Sequence, residues 1–153
     1  MSKNRNILLV ANWESNVGYA WWLMENFWVT ISNHFGKQGK VSYLIYPKIT
    51  KIPESIASSG IEVSECSFQD HSLANLGKLH RFIRSNNISY IYLTDSPPHS
   101  LFYLLLRFWG IKKIVVHDHT PGDRTPANSW KRLLTSLMKP KKPGKSFWMP
   151  LEP

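Results

Sequence analysis

The chain has 153 residues, 42% of them hydrophobic and 19% charged, including seven Trp, seven Phe and six Tyr. That is enough apolar material for one well-filled core, and the charge density is too low for the disordered class. A formal net charge of +9 points to an anionic partner, and a lone cysteine, Cys66, excludes an internal disulfide and fits a reducing compartment.

The opening MSKNRNILLV breaks at Asn12 and Glu14 without a small-residue cleavage site, so it reads as a first strand and not as a secretory signal. Ile7 to Ala11 has no polar alternation, as expected of a strand covered on both faces of a parallel sheet. After the loop Asn12 to Gly18, residues Trp21, Met24, Trp28, Ile31 and Phe35 recur at helical spacing, with Gly36 and Gly39 ending the segment. Trp22, Leu23 and Phe27 on its other side widen the apolar stripe. The helix should therefore be deeply buried or lie against a second apolar surface.

Val41 to Tyr46 is the next expected strand, Pro53 to Ser59 a short helix with Gly60 at its C-terminus, and Ile61 to Cys66 an alternating strand. Leu73, Leu76, Leu79 and Ile83 mark a helix ended by Asn86 and Asn87, and Ile88 to Leu93 is a buried strand. Ser96 and Pro97 have the residue types of an N-cap and a first helical position for a helix through Leu101 to Trp109, stopped by Gly110. Its apolar stretch is interrupted by Arg107 and is too short to cross a bilayer. Lys113 to Val116 follows as a strand. Thr125 and Pro126 then open a helix to about Met138, and KPKKPGKSFWMPLEP lacks periodicity. The expected fold is α/β: a Rossmann-like, doubly wound, mostly parallel sheet with helices on both faces. Residues 1–139 form one domain and residues 140–153 a basic, Pro-rich, extended or disordered tail.

Open parallel sheets bind ligands beyond the carboxyl ends of their strands, where loops and helix N-termini converge. Three loops qualify. Asn12 to Gly18 offers Asn16 and Gly18, the glycine allowing close backbone approach to a phosphate or sugar, although neither a GxGxxG nor a P-loop pattern is present. Thr94 to His99 offers Asp95, which helix capping alone would also explain. His117 to Arg124 concentrates His117, Asp118, His119, Thr120 and Arg124 directly after a buried strand. There an imidazole suits proton exchange with a hydroxyl, and a guanidinium forks onto phosphate oxygens. His117 and His119 would share one side of a continued strand while Asp118 faces away, so a sugar or phosphate site is preferred and no metal is expected.

The strand NILLVANW, the glycine-bearing loop, the aromatic helix and KIVVHDHTPGDR after a βαβ run resemble the N-terminal domain of glycosyltransferase family 4, over residues 5 to 138. The resemblance implies one half of a GT-B fold: the acceptor-side domain of a retaining enzyme that moves a sugar from a nucleotide sugar to a glycan or lipid-linked acceptor in surface-polysaccharide assembly. It assigns the sugar contact to His119, with His117 as the alternative register and Asp118 beside them, and places Thr120 next to that contact and Gly18 near the donor diphosphate. The nucleotide sugar is then a co-substrate, and no tightly bound cofactor is expected. Family members continue into a donor-binding domain that this sequence does not supply, so the chain alone should be inactive and a separate C-terminal domain is an expected partner.

Residues 124–153 carry seven of the nineteen lysines and arginines against one glutamate, interleaved with Trp130, Phe147 and Trp148. That mixture suits an anionic membrane surface, and with it a cytoplasmic location, peripheral at the inner face of the membrane; a solvated tail is the plain alternative. Nucleic acid is disfavoured because no helix-turn-helix or aromatic RNP pattern occurs. The competing function is a stand-alone, flavodoxin-like nucleotide- or protein-binding module without catalysis.

Overall fold

All five residues of β1 (Asn6–Val10) and of β2 (Ser42–Tyr46) are buried, which requires cover on both faces of the sheet they form. The computed structural model describes residues 5–15, 17, 22–97 and 100–117. Between and after those strands come α1 (Trp22–Gly36), α2 (Glu54–Ala57), β3 (Glu62–Glu65), α3 (Leu73–Ser85), β4 (Ile88–Thr94), α4 (Phe102–Phe108) and β5 (Lys113–His117). The strands are parallel throughout and lie in the order β3-β2-β1-β4-β5. The chain winds outward from β1 to β3, then returns through α3 to start β4 on the opposite side of β1. The fold is thus α/β and doubly wound, with its switch point between the carboxyl ends of β1 and β4.

Period-two geometry splits each central strand between two cores. Ile7, Leu9, Leu44 and Tyr46 face Met24 and Trp28 of α1 and Ile56 of α2. Leu8, Val10, Ile45, Ile91 and Leu93 face Leu79 and Ile83 of α3 and Tyr103 and Leu106 of α4. Burying each such side chain contributes about 1.5–3 kcal/mol, so this two-sided burial outweighs any single polar contact in the molecule. Register slips once, since Asn6 lies opposite Ile88 but Ile7 lies opposite Tyr90. The slip lets Ile88 join the same core as Ile91 and Leu93 despite its parity.

Three element boundaries correct the sequence reading. α4 begins at Phe102, five residues after Pro97, and its N-cap Leu101 makes no side-chain capping bond. Ser96 is buried and accepts a bond from Asn12 across the sheet, so its hydroxyl is engaged elsewhere and does not cap the helix. Ser100 takes the local role instead: its Oγ accepts from Phe102 N at 3.2 Å and its carbonyl from Tyr103 N at 3.1 Å. α2 is a single turn, Glu54–Ala57, and Gly60 follows it at φ +72°, a conformation that favours glycine. β3 is limited to Glu62–Glu65, an edge strand with a glutamate at each end, where charge discourages further pairing.

α1 is not buried all round. Met24, Trp28 and Ser32 face the sheet, whereas Trp22, Leu23 and Phe27 are exposed, so the helix presents a second apolar side. No helix among the described residues is long and apolar enough to cross a membrane. The expected helix after Thr125 and the tail from residue 140 lie outside the described residues.

Candidate functional site at the carboxyl edge

β1 ends in Val10, Ala11 follows it, and the first polar side chain beyond them, Asn12, ties the switch point together. Its Nδ2 donates to Thr94 O at 2.6 Å, Asp95 O at 3.1 Å and Ser96 Oγ at 3.1 Å. These bonds hold the exit of β4 against the exit of β1. Among the described residues, the buried Asn12 Oδ1 has no hydrogen-bond partner. Trp28, on the sheet-facing side of α1, donates from Nε1 to Thr94 Oγ1 at 3.3 Å, closing the buried side of the same junction.

One strand further out, His117 is the last residue of β5 and lies opposite Thr94 in the register. Its Nδ1 is hydrogen-bonded to the Tyr92 hydroxyl. The Phe27 ring stands edge-on to the imidazole at 5.2 Å, and the Tyr92 ring at 5.9 Å. Asp95 follows β4 at φ +50°, and its N–H donates to His117 O at 2.8 Å. Burial, and then the Asp95 charge, push the Tyr92 phenol up to about 12, so it keeps its proton and can serve as a donor. Tyr46, deeper on the same face, is raised by burial first and by Glu25 second.

On the other face of the same edge, the β3–α3 and β4–α4 loops enclose a cavity of about 170 Å³ lined by Phe68, Gln69, His71, Ser96, Pro97, Ser100, Phe102 and Tyr103. Phe102 forms its aromatic floor, with Phe68 edge-on at 5.2 Å and the His71 ring tilted at 4.7 Å. Ser96 belongs to both this cavity and the Asn12 junction. Aromatic surface beside hydroxyl and amide groups offers apolar contact to a sugar ring and hydrogen bonds to its hydroxyls.

Of the residues singled out from sequence, the structure brings His117 and Asp95 together, with the Asp95 N–H donating to the His117 carbonyl. Asn16, Gly18, Asp118, His119, Thr120 and Arg124 lie outside the described residues. Sequence reading missed Asn12, Phe27, Tyr92, Thr94 and the Phe68–Phe102 cavity. The signals for them were slight: Asn12 is the first polar residue after an aliphatic strand, and Tyr92 is a polar-tipped residue within one. Among the described residues no group of three or more His, Cys, Asp or Glu could hold a metal ion.

No protein-family model matches the sequence, and no curated relative matches it. The structure is similar to the crystal structure of a glycosyltransferase from Rickettsia africae ESF-5, with a TM-score of 0.58 and 17% sequence identity. The match covers 88% of this chain and 34% of that one. The chain therefore spans about a third of the length of that protein and resembles one Rossmann-like domain of a glycosyltransferase.

Proposed function

We propose that this chain is the N-terminal, acceptor-side domain of a retaining GT-B glycosyltransferase similar to family 4. Its substrates are a nucleotide-sugar donor and a glycan or lipid-linked acceptor. The observation that carries the reading is the convergence of Asn12, Tyr92, Asp95 and His117 at the switch point of a sheet that resembles a glycosyltransferase domain. The Phe68–Phe102 cavity beside it is the acceptor pocket of this proposal.

Departure of a nucleoside diphosphate leaves an oxocarbenium-like sugar and a developing anion. Stabilisation then depends on donors and cations around the diphosphate, groups that a donor-binding domain contributes. The acceptor side instead holds a hydroxyl in reach of the anomeric carbon and excludes water. The hydrogen bond between the Tyr92 hydroxyl and Nδ1 fixes the orientation of the His117 ring at the end of β5. His119 orients the transferred sugar in this proposal, with His117 supporting the strand end that positions it. The enzyme works in the cytoplasm, peripheral to the inner face of the membrane, in surface-polysaccharide assembly.

The test is a pair of NMR titrations of the chain, one with oligosaccharides and one with a nucleotide alone. The proposal expects oligosaccharide to perturb Phe102, Tyr103 and Ser96. Shifts confined to the nucleotide titration would instead favour a flavodoxin-like binding module and remove the acceptor-side assignment.

A further inference from the structure

The end of the sheet opposite the carboxyl-edge site holds a concavity of about 320 Å³. It opens where β1 and β4 begin and where α3 and α4 finish. Arg5, Arg84 and Lys112 line it, and no carboxylate is among its lining residues. All three cationic side chains are exposed, and among the described residues the ion pair formed is Lys48 with Glu14, which does not involve this end. Each cation comes from a different segment: the residue before β1, the last turn of α3 and the link from α4 to β5.

We propose that this concavity is a binding site for a small, soluble phosphate-bearing anion of the diphosphate class. Charges of one sign around a concave, low-dielectric wall focus the potential on its centre, so three convergent cations attract a multivalent anion more than their number on a flat surface would. The opposing term is the carboxyl ends of α3 and α4, each at most about half a negative charge. Part of that is already met, because the N–H groups of Trp109, Ile111 and Gly110 donate to the terminal α4 carbonyls of Leu105, Leu106 and Arg107. Three full charges exceed the remainder. Gly110 contributes shape: at φ +101° it carries no side chain, and the space where a Cβ would project is 3.7 Å from Arg84 Nη1. The volume is at the small end of the range for ligand pockets, about 300–1,000 Å³, which suits a compact anion and not a whole nucleotide sugar. The proposal is independent of the carboxyl-edge reading, since it uses none of those residues.

The experiment is calorimetric titration of the chain with inorganic pyrophosphate at low ionic strength, with the Trp109 indole N–H followed by NMR. Saturable binding is expected, with the Trp109 signal shifting in step. Arg84→Gln combined with Lys112→Gln should weaken it by about tenfold or more, equivalent to about 1.4 kcal/mol. Lys37→Gln with Lys40→Gln, which removes the same charge elsewhere, should change affinity by less than about twofold. Arg5→Gln with Lys112→Gln gives a second test that alters no helix residue, should the first pair unfold. Equal loss in the control pair, absence of saturation, or binding seen with phosphatidylglycerol vesicles but not with pyrophosphate would overturn the site.

Discussion

Asn12 shows how one side chain can decide the geometry of a crevice. Its amide supplies donors to two carbonyls and a hydroxyl of the neighbouring loop. Replacing it with alanine should cost about 1–3 kcal/mol, because those acceptors lose their partner in a half-buried junction. Asn12→Asp should be worse than Asn12→Ala at neutral pH, since a carboxylate would face the Thr94 and Asp95 carbonyls with no proton to offer. That excess should shrink as pH falls and the new carboxyl protonates; urea melts at two pH values measure it. A difference that stays constant with pH would mean the amide does not point as described.

The buried phenols make a second residue-scale prediction. Burial raises Tyr103, and burial with the Asp95 charge raises Tyr92, both from the ordinary 10.0 to about 12. The unfolded chain ionises these groups near 10.0 while the fold retains the protons, so their contribution is intact below that pH and is lost as pH rises toward about 12. Burial lifts the Cys66 thiol too, with Lys78 opposing and Asp70 adding, which extends the alkaline loss to lower pH. Melting temperature should fall through this window while phenolate absorbance lags that of free tyrosine. For the proposed sugar transfer, His119→Ala in the proposed two-domain enzyme should reduce turnover by about tenfold or more with folding intact; unchanged turnover would shift the role to His117 or remove it.

At the scale of elements, α1 is held by the buried stripe and α4 ended by the glycine that their sequences imply. α1 is anchored by Trp28, which is 1% exposed and bonds Thr94 through its indole. Trp28→Ala should cost about 3–5 kcal/mol, more than any change on the exposed Trp22 and Leu23 side. Comparing chemical denaturation of Trp28→Ala with Trp22→Ala separates the two faces directly. α4 is stopped by Gly110 at φ +101°, where Ala would be strained by about 1–2 kcal/mol although no atom lies within clashing distance. A Gly110→Ala variant as stable as the parent would show that the turn relaxes.

For the whole molecule, the parallel sheet puts every functional candidate that is described at one edge and a cationic concavity at the other. The basic tail residues Lys141 and Lys142 lie outside the described residues, and their expected role is testable by itself. Lys141→Glu with Lys142→Glu should weaken binding to anionic vesicles, with salt reducing the parent's binding further. Equal binding of the two proteins would assign those lysines to solvent.

Strand and helix identity was legible from the sequence because it rests on local periodicity. Ile7 to Ala11 had to be covered on both sides, and the stripe Leu73, Leu76, Leu79 and Ile83 had to be a helix, although its first residue, Leu73, is exposed. The alternation of the two types then implied parallel βαβ winding. The start of α4 was not legible, because Ser96 has the residue type of a cap and its actual partner, Asn12, is 84 positions away. The same holds for the site. A cluster dense in histidine and aspartate drew attention to His117, but nothing local says that Tyr92 bonds its ring or that Phe27 borders it. Strand order decides that, since residues on β4 and β5 and on α1 become neighbours only after the crossover connections bring them to one edge of the sheet. Composition and period therefore determined the class of fold, and long-range pairing determined which polar groups meet.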